Sequence, residues 1–501
     1  MSEQPPSRRR FVFFGALLSG AVPIGGLGSV PSLRALGYKP FYDRLNVAAI
    51  GCGGQGGVDL NDAAKSETIV ALCDVDQARA AINFNRFDKQ PKFKDYRRML
   101  DKEGRHIDAV TIGIPDHMHA AAALACMQMG KHVYCEKPLT RTPWEARLLK
   151  DAAAKYKVAT QMGNQGFSHE SHRVAAEMVW SGAIGDVKEV HVCTTPDSTP
   201  RELQALPPEE GIPSTLAWDE WLGAAQKRPY SSYYVPYNWR AFLEFGTGQI
   251  GNWATHTAGP AQTALQLCAP VSLERISVKG ESKITYPTSA SVRLEFPARG
   301  SMPPVTMFYH EAATAAGSDV YRVPGMENEI ILPPPSNLAP KGRPMEARRR
   351  PANSSGPQPG SGRYGVRNFS PRGTEPPQPG VLTGNGSLLV GTRGMMATVD
   401  RGEGVHLLPS ARWAEYVLPP PLLTRSPGHM ADWIRACKGG EPGCADFSIT
   451  APYAEWLALV AIALVVPGKL LWDADHLRFT NSAQANQLVK PSFRPGRELK
   501  L

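Results

Sequence analysis

Leu45-Asn46-Val47-Ala48-Ala49-Ile50-Gly51-Cys52-Gly53-Gly54-Gln55-Gly56 reads as an apolar strand that runs straight into a glycine turn. Its apolar run is that of a strand buried on both faces of a parallel sheet. In the turn, Gly51 permits the tight bend, Gly53 lets backbone approach a pyrophosphate, and Gly56 lets the next helix pack on the strand. The phosphates would then meet N–H groups, Gln55 among them, at a positive helix end. A second strand, Thr68 to Cys73, ends at Asp74. That is near the roughly 20-residue spacing of an acid that accepts from the adenosine ribose. A carboxylate there repels a 2′-phosphate and no Arg or Lys directly follows it, so the expected cofactor is NAD rather than NADP.

Working outward, strands alternate with helices. Asp108 to Ile114 reads as a strand, Pro115-Asp116-His117-Met118-His119 as a loop, and Ala120 to Met129 as a helix stopped by Gly130. His132 to Glu136 is the next strand, followed by Lys137-Pro138, and Thr142-Pro143-Trp144-Glu145 has the residues of a capped helix start. Such alternation predicts a doubly wound sheet with its ligand outside the C-terminal strand ends. The glycine turn, Asp74, Pro115, His119, Glu136 and Lys137 all fall there.

Taken with Met162-Gly163-Asn164-Gln165, these motifs resemble the Gfo/Idh/MocA family over nearly all of the chain beyond Tyr38, apart from a Pro-rich insert. The resemblance implies an α/β protein. An N-terminal Rossmann NAD-binding domain (40–165) would be followed by a C-terminal α+β domain with an open-faced, mainly antiparallel sheet (166–331 and 381–501) that carries the substrate. It also implies a cis Lys137-Pro138 peptide that sets the ammonium at the nicotinamide edge. Gly246 to His256 matches the family's second signature, in which an acid and, four residues later, a histidine share a helix face. By that resemblance His256 abstracts a hydroxyl proton as hydride leaves the same carbon, and Lys137 holds the substrate oxygen. Here the acid's place is held by Asn252, and a second acid's place by Gly259. Asn cannot stabilise an imidazolium by charge, so His256 is expected to be a weaker base than the family norm.

Aromatic residues crowd the stretch before this motif: Trp218, Trp221, Tyr230, Tyr233, Tyr234, Tyr237 and Trp239, with Arg240. Tyr237, Trp239, Arg240 and Asn164 are the expected substrate contacts, rings for the C–H face of a sugar and polar groups for its hydroxyls. His169, Glu170 and His172 follow at the start of a further helix. Apolar alternation marks strands through Ala290 to Phe296 and Val305 to Tyr309, with a shorter one at Leu388 to Val390. Helices are expected near His429 to Cys437 and Ala451 to Val466, packed at the domain junction.

The chain is 501 residues long with 42% hydrophobic and 20% charged residues, the make-up of a soluble protein of two or more domains. Its net charge of +9 is local. Lys341 to Arg372 carries eight Lys or Arg against Glu346, and Arg8, Arg9 and Arg10 face Glu3. The remaining body is close to neutral, so no nucleic-acid partner is expected. The Pro, Gly and Arg-rich stretch 332–380 has the composition of a disordered insert. Ser7-Arg8-Arg9-Arg10-Phe11-Val12-Phe13 with the apolar run after it resembles a twin-arginine signal over 1–36, predicting a periplasmic or otherwise exported protein with no membrane contact beyond that segment. Cleavage is expected between Ser29 and Leu36, an uncleaved anchor being the alternative. Trp456 to Val466 is too short to span a bilayer. Among eight cysteines none has zinc-type spacing and no metal is expected; only Cys437 and Cys444 flank a loop able to close a disulfide.

The leading expectation is an NAD-dependent oxidoreductase acting on CH–OH groups of a small carbohydrate or polyol, assembled as a homo-oligomer through the sheet domain. Two alternatives stay open: an NAD-dependent glycoside hydrolase that oxidises, eliminates, hydrates and reduces with one cofactor, and a non-catalytic binding protein.

Overall fold

The computed structural model describes residues 43–195, 199–311, 321–332 and 378–501. The arginine-rich N-terminal segment and nearly all of the expected insert lie outside the described residues. The first sheet has six strands: β1 (Asn46–Ile50), β2 (Thr68–Cys73), β3 (Lys92–Phe93), β4 (Ala109–Ile112), β5 (His132–Glu136) and β6 (Thr160–Gly163). Their order is β3-β2-β1-β4-β5-β6 and every pair is parallel. The chain leaves β1 toward β2 on one side and resumes at β4 on the other. The connections after β1 and β4 therefore diverge and open the crevice where such sheets bind ligands.

One local expectation needs correcting. The helix expected from Ala120 begins at Asp116 and runs to Gln128, so Pro115 stands at its N-cap and His117 and His119 lie in its first turns. Both rings are buried. The polar run looked like a solvated loop, but His117 fills a slot between Trp221 and Phe245, with ring centroids at 4.9 and 5.0 Å. The helix Pro143–Tyr156 starts as its sequence prescribes: Thr142 and Glu145 form a reciprocal capping box with Pro at the first position.

The second sheet has nine strands: β7 (Val187–Thr194), β8 (Ser272–Lys279), β9 (Ser289–Phe296), β10 (Val305–Glu311), β13 (Gly386–Gly391), β14 (Gly394–Val399), β15 (Gly404–Leu408), β16 (Lys469–Asp473) and β17 (Arg478–Phe479), in the order β15-β14-β13-β7-β10-β9-β8-β16-β17. Among the described residues of this sheet, only β7 and β10 pair in parallel. A two-stranded ladder, β11 (Tyr321–Arg322) with β12 (Val381–Leu382), stands apart. Leu382 and Val323 join Cys193, Leu388, Ala397 and Leu408 in a small cluster of their own, so the sheet is not wholly open-faced.

Helix Phe447–Val465 packs on β8 and β9 and against the Rossmann helix Pro143–Tyr156, which makes the two sheets share one core. Glu455 accepts two bonds from Arg147 across that junction, at 3.0 and 2.8 Å. The helix starts earlier than expected because the Asp446 side chain caps it, bonding Ser448 N at 2.8 Å. Cys437 and Cys444 are both free thiols. Cys437 packs among the apolar residues of helix His429–Cys437, while Cys444 sits 3.2 Å from the Ser168 hydroxyl.

Candidate active site

Backbone sterics make the glycine turn. Gly51 has a φ of +89°, and a side chain on it or on Gly56 would strike the Gly113 carbonyl. These two positions hold helix Gly54–Ala63 close against β1 and β4. The helix has no side-chain cap and no acid in its first turn, and Gly54 and Gln55 are exposed there. Unclaimed N–H groups at a helix start are what a pyrophosphate requires. Gly53 has a packing reason as well. Its Cβ would meet Arg79, at 2.5 Å from Cγ and 2.8 Å from the carbonyl oxygen, so the position is closed by the helix after β2. Asp74 stands at the end of β2 and accepts from Cys52 N at 2.7 Å and Asp76 N at 2.9 Å. Its burial raises the carboxyl's pKa, and those two N–H donors pull it back. The residues present fit a dinucleotide.

Beyond β5, the Lys137–Pro138 peptide is cis, as expected. Lys137 Nζ donates to the Asn252 backbone oxygen and side-chain Oδ1, both at 2.9 Å. Asn252 in turn donates to Gln249 Oε1 at 3.0 Å and the Tyr237 hydroxyl at 3.3 Å. Burial, with the Arg240 charge next, pushes the ammonium down to about 8. Glu136 lies beneath it, accepting from Gln165 Nε2 at 3.0 Å, and burial pushes its carboxyl up to about 7. Asp116, whose charge Lys137 also feels, accepts from Thr247 Oγ1 at 2.7 Å and so fastens the second signature to the Rossmann domain.

His256 is buried and its Nδ1 lies 2.7 Å from Asn164 Oδ1. The Asn164 amide nitrogen donates to the Thr255 carbonyl, which fixes Oδ1 toward the ring. Nδ1 therefore carries the proton and Nε2 is the lone-pair nitrogen, which bonds no described residue. Tyr453, from the buried helix, donates to the same Thr255 carbonyl at 2.8 Å and steadies this turn. Burial first, then the Lys137 and Arg401 charges, hold the imidazole well below its ordinary pKa.

The expected partnership of Asn252 with His256 is thus replaced. Residues Ile250–Ala254 form a π-helical turn, Asn252 serves Lys137, and Asn164 orients the histidine. Gly259 has a packing reason: its Cβ would lie 3.2 Å from Phe167 and 3.3 Å from His172, so a side chain there requires both rings to give by a few tenths of an ångström. His172 bonds Thr263 at 2.7 Å and packs on Phe167, a core role, while Glu170 pairs with Arg425. Trp218, Trp221, Tyr230, Tyr234 and Trp239 form a satellite core with Phe242 and Phe245. Tyr237 reaches the site, and Arg240 stacks 4.2 Å from the ring centroids of both Tyr237 and Trp239. His119 Nε2 bonds the Ile114 carbonyl at 2.7 Å, ending the strand-to-helix turn beside Lys137.

Residues 45–164 match the model of the oxidoreductase family, NAD-binding Rossmann fold, and residues 201–284 that of its C-terminal alpha/beta domain. Residues 45–164 are thus an NAD-binding Rossmann domain. Among curated relatives, levoglucosan dehydrogenase of Pseudarthrobacter phenanthrenivorans is 32% identical over 108 residues, 22% of this chain and 27% of that protein. Inositol 2-dehydrogenase 1 of Saccharopolyspora erythraea is 34% identical over 125 residues, 25% of this chain and 36% of that protein. The chain thus spans about a third of the length of these relatives. The solved WlbA dehydrogenase of Bordetella pertussis, in complex with NADH and UDP-GlcNAcA, is similar in fold, with a TM-score of 0.53 at 13% identity, covering 86% of this chain and 99% of that one.

Proposed function

We propose that this protein is an NAD-dependent oxidoreductase that oxidises or reduces a carbinol carbon of a small carbohydrate or polyol. The observation that carries the reading is the pairing of a proton acceptor with a positioned cation. His256 presents Nε2 unbonded, and Lys137 keeps one N–H beyond the two it gives to Asn252. NAD, when bound, supplies the hydride acceptor. The protein's part is to take the hydroxyl proton on His256 Nε2 while the Lys137 ammonium holds the oxygen as it gains carbonyl character. Burial and the neighbouring cations lower the imidazole's pKa and so favour its neutral, proton-accepting form. Lys137, near 8, is a cation at neutral pH.

The adenosine end belongs to Asp74, with NAD preferred over NADP because a carboxylate repels the 2′-phosphate. Export by a twin-arginine route would carry the folded protein into a compartment without a nicotinamide pool, and favours a cofactor held through many turnovers. Full-length protein purified without added nucleotide is denatured and its supernatant assayed for NAD(H), then sugars and aryl glycosides are screened at 340 nm. Bound NAD(H) and substrate-dependent absorbance change are expected. Aglycone release with no net NADH would replace the dehydrogenase by the glycosidase cycle, and neither signal would leave a binding protein.

A further inference from the structure

Arg401 takes no part in the chemistry just described, yet it stands beside it. It lies in the turn between β14 and β15, exposed, with its backbone carbonyl against Gly166, next after Asn164-Gln165. Its guanidinium is 5.7 Å from the Trp253 ring centroid, and that ring is 5.9 Å from His256. Guanidinium, indole and imidazole follow one another in a row. Arg401 has no carboxylate within ion-pair distance among the described residues, and its charge is felt at Lys137, Glu136, His256 and His169. His169 itself has a buried Nδ1 with no hydrogen-bond partner.

The carboxylates nearby are otherwise placed. Glu136 lies under Lys137, Asp116 is bonded to Thr247, and Glu403 acts on His169. Arg240 is felt at Lys137 as well as at Arg79 and His119, and its guanidinium is stacked on Tyr237 and Trp239. On the His256 side Lys137 already has the Glu136 and Asp116 charges near it, whereas the Arg401 guanidinium has no ion-pair partner among the described residues. Arg401 is exposed, so a ligand anion can reach it without displacing a protein carboxylate. A guanidinium offers planar paired donors to a carboxylate or phosphate, and an indole face supports both the cation and a sugar ring.

We propose that the substrate carries an oxyanion on its sugar, a carboxylate or a phosphate, and that Arg401 receives it beside the Trp253 indole. This deepens the oxidoreductase reading and rests on it for the seat of the sugar, but binding alone tests it. NAD-loaded full-length protein is titrated calorimetrically at constant ionic strength with glucose, glucuronate and glucose 6-phosphate, and with the galactose and mannose counterparts. At least one anion should bind about tenfold or more tighter than its parent sugar, the scale of one charge-assisted pair. Arg401→Gln should bring that ratio close to one and Arg401→Lys should restore part of it. The proposal is overturned if no anion outbinds its parent, or if Arg401→Gln keeps the preference. The uronate and phosphate arms say which oxyanion is meant. Absorbance at 340 nm, followed in parallel, separates the two claims. Selective binding with no nicotinamide reduction by any bound sugar refutes the oxidoreductase and leaves the anion site standing. Equal reduction efficiency with neutral and anionic sugars does the reverse.

Discussion

Replacing Asn252 by Asp tests how the charge of Lys137 is set. The new carboxylate would stand where Oδ1 now accepts from Lys137 Nζ at 2.9 Å. At an effective dielectric of about 20, two unit charges at that distance attract by about 6 kcal/mol. Desolvating a new buried carboxylate takes back several kcal/mol of this. A residual of about 2 kcal/mol amounts to one to two pKa units, at roughly 1.4 kcal/mol per unit. Lys137, now near 8, should return toward its ordinary value of 10.5. Since the ammonium form holds the substrate oxygen, its loss sets the basic limb of kcat/KM against pH. That limb should lie near pH 8 in the native protein and move up by at least about one unit in Asn252→Asp. The acidic limb, set by His256, should also rise, because the same carboxylate favours the imidazolium. A basic limb that stays put or moves down would refute the role given to Asn252.

Two further predictions concern stability. Gly259→Asp should destabilise by about 1–3 kcal/mol, the cost of forcing atoms into a filled core, because Phe167 and His172 have to give way; an unfolding midpoint equal to the native one in a urea titration would contradict that packing. Burial holds His117, His172 and His191 at about 3, and His310, His406 and His429 at about 4. The unfolded chain then binds more protons below its ordinary histidine pKa of about 6.5, so stability falls as pH drops through 6.5 toward 4. The raised carboxyls of Glu136, Asp74 and Glu145 work the other way and offset part of this. A thermal midpoint unchanged between pH 7 and pH 4.5 would contradict the excess of buried neutral imidazoles.

Those elements whose requirements are local could be read in the sequence. The glycine turn needs a backbone that only glycine adopts beside Gly113, and the Thr142 capping box is complete within four residues. Alternation in β9 and β10 likewise reports which face is buried, residue by residue. What could not be read depends on partners distant in the chain. Asn164 meets His256 from β6, and Tyr453 supports the same turn from the last long helix. Arg401 arrives from a hairpin turn with no motif of its own. The spacing of four between Asn252 and His256 misled because it presumes α-helical geometry where the chain makes a π turn. Counting aromatics overstated the binding surface, since most of them fill the satellite core and Tyr237 alone of the rings bonds Asn252. The polar run Asp116 to His119 reads as a loop in the sequence because the Trp221 and Phe245 slot that buries His117 belongs to a later part of the chain.

The central claim is that His256 takes the proton and Lys137 holds the oxygen of a sugar oxidised by bound NAD. It is tested most directly by single-turnover rates of the 340 nm band, with the best sugar from the screen, for the native protein, His256→Ala and Lys137→Ala at equal cofactor loading. A loss of about 10²-fold or more in each variant, with NAD still bound, is what the geometry predicts. Native rates in both variants would contradict it.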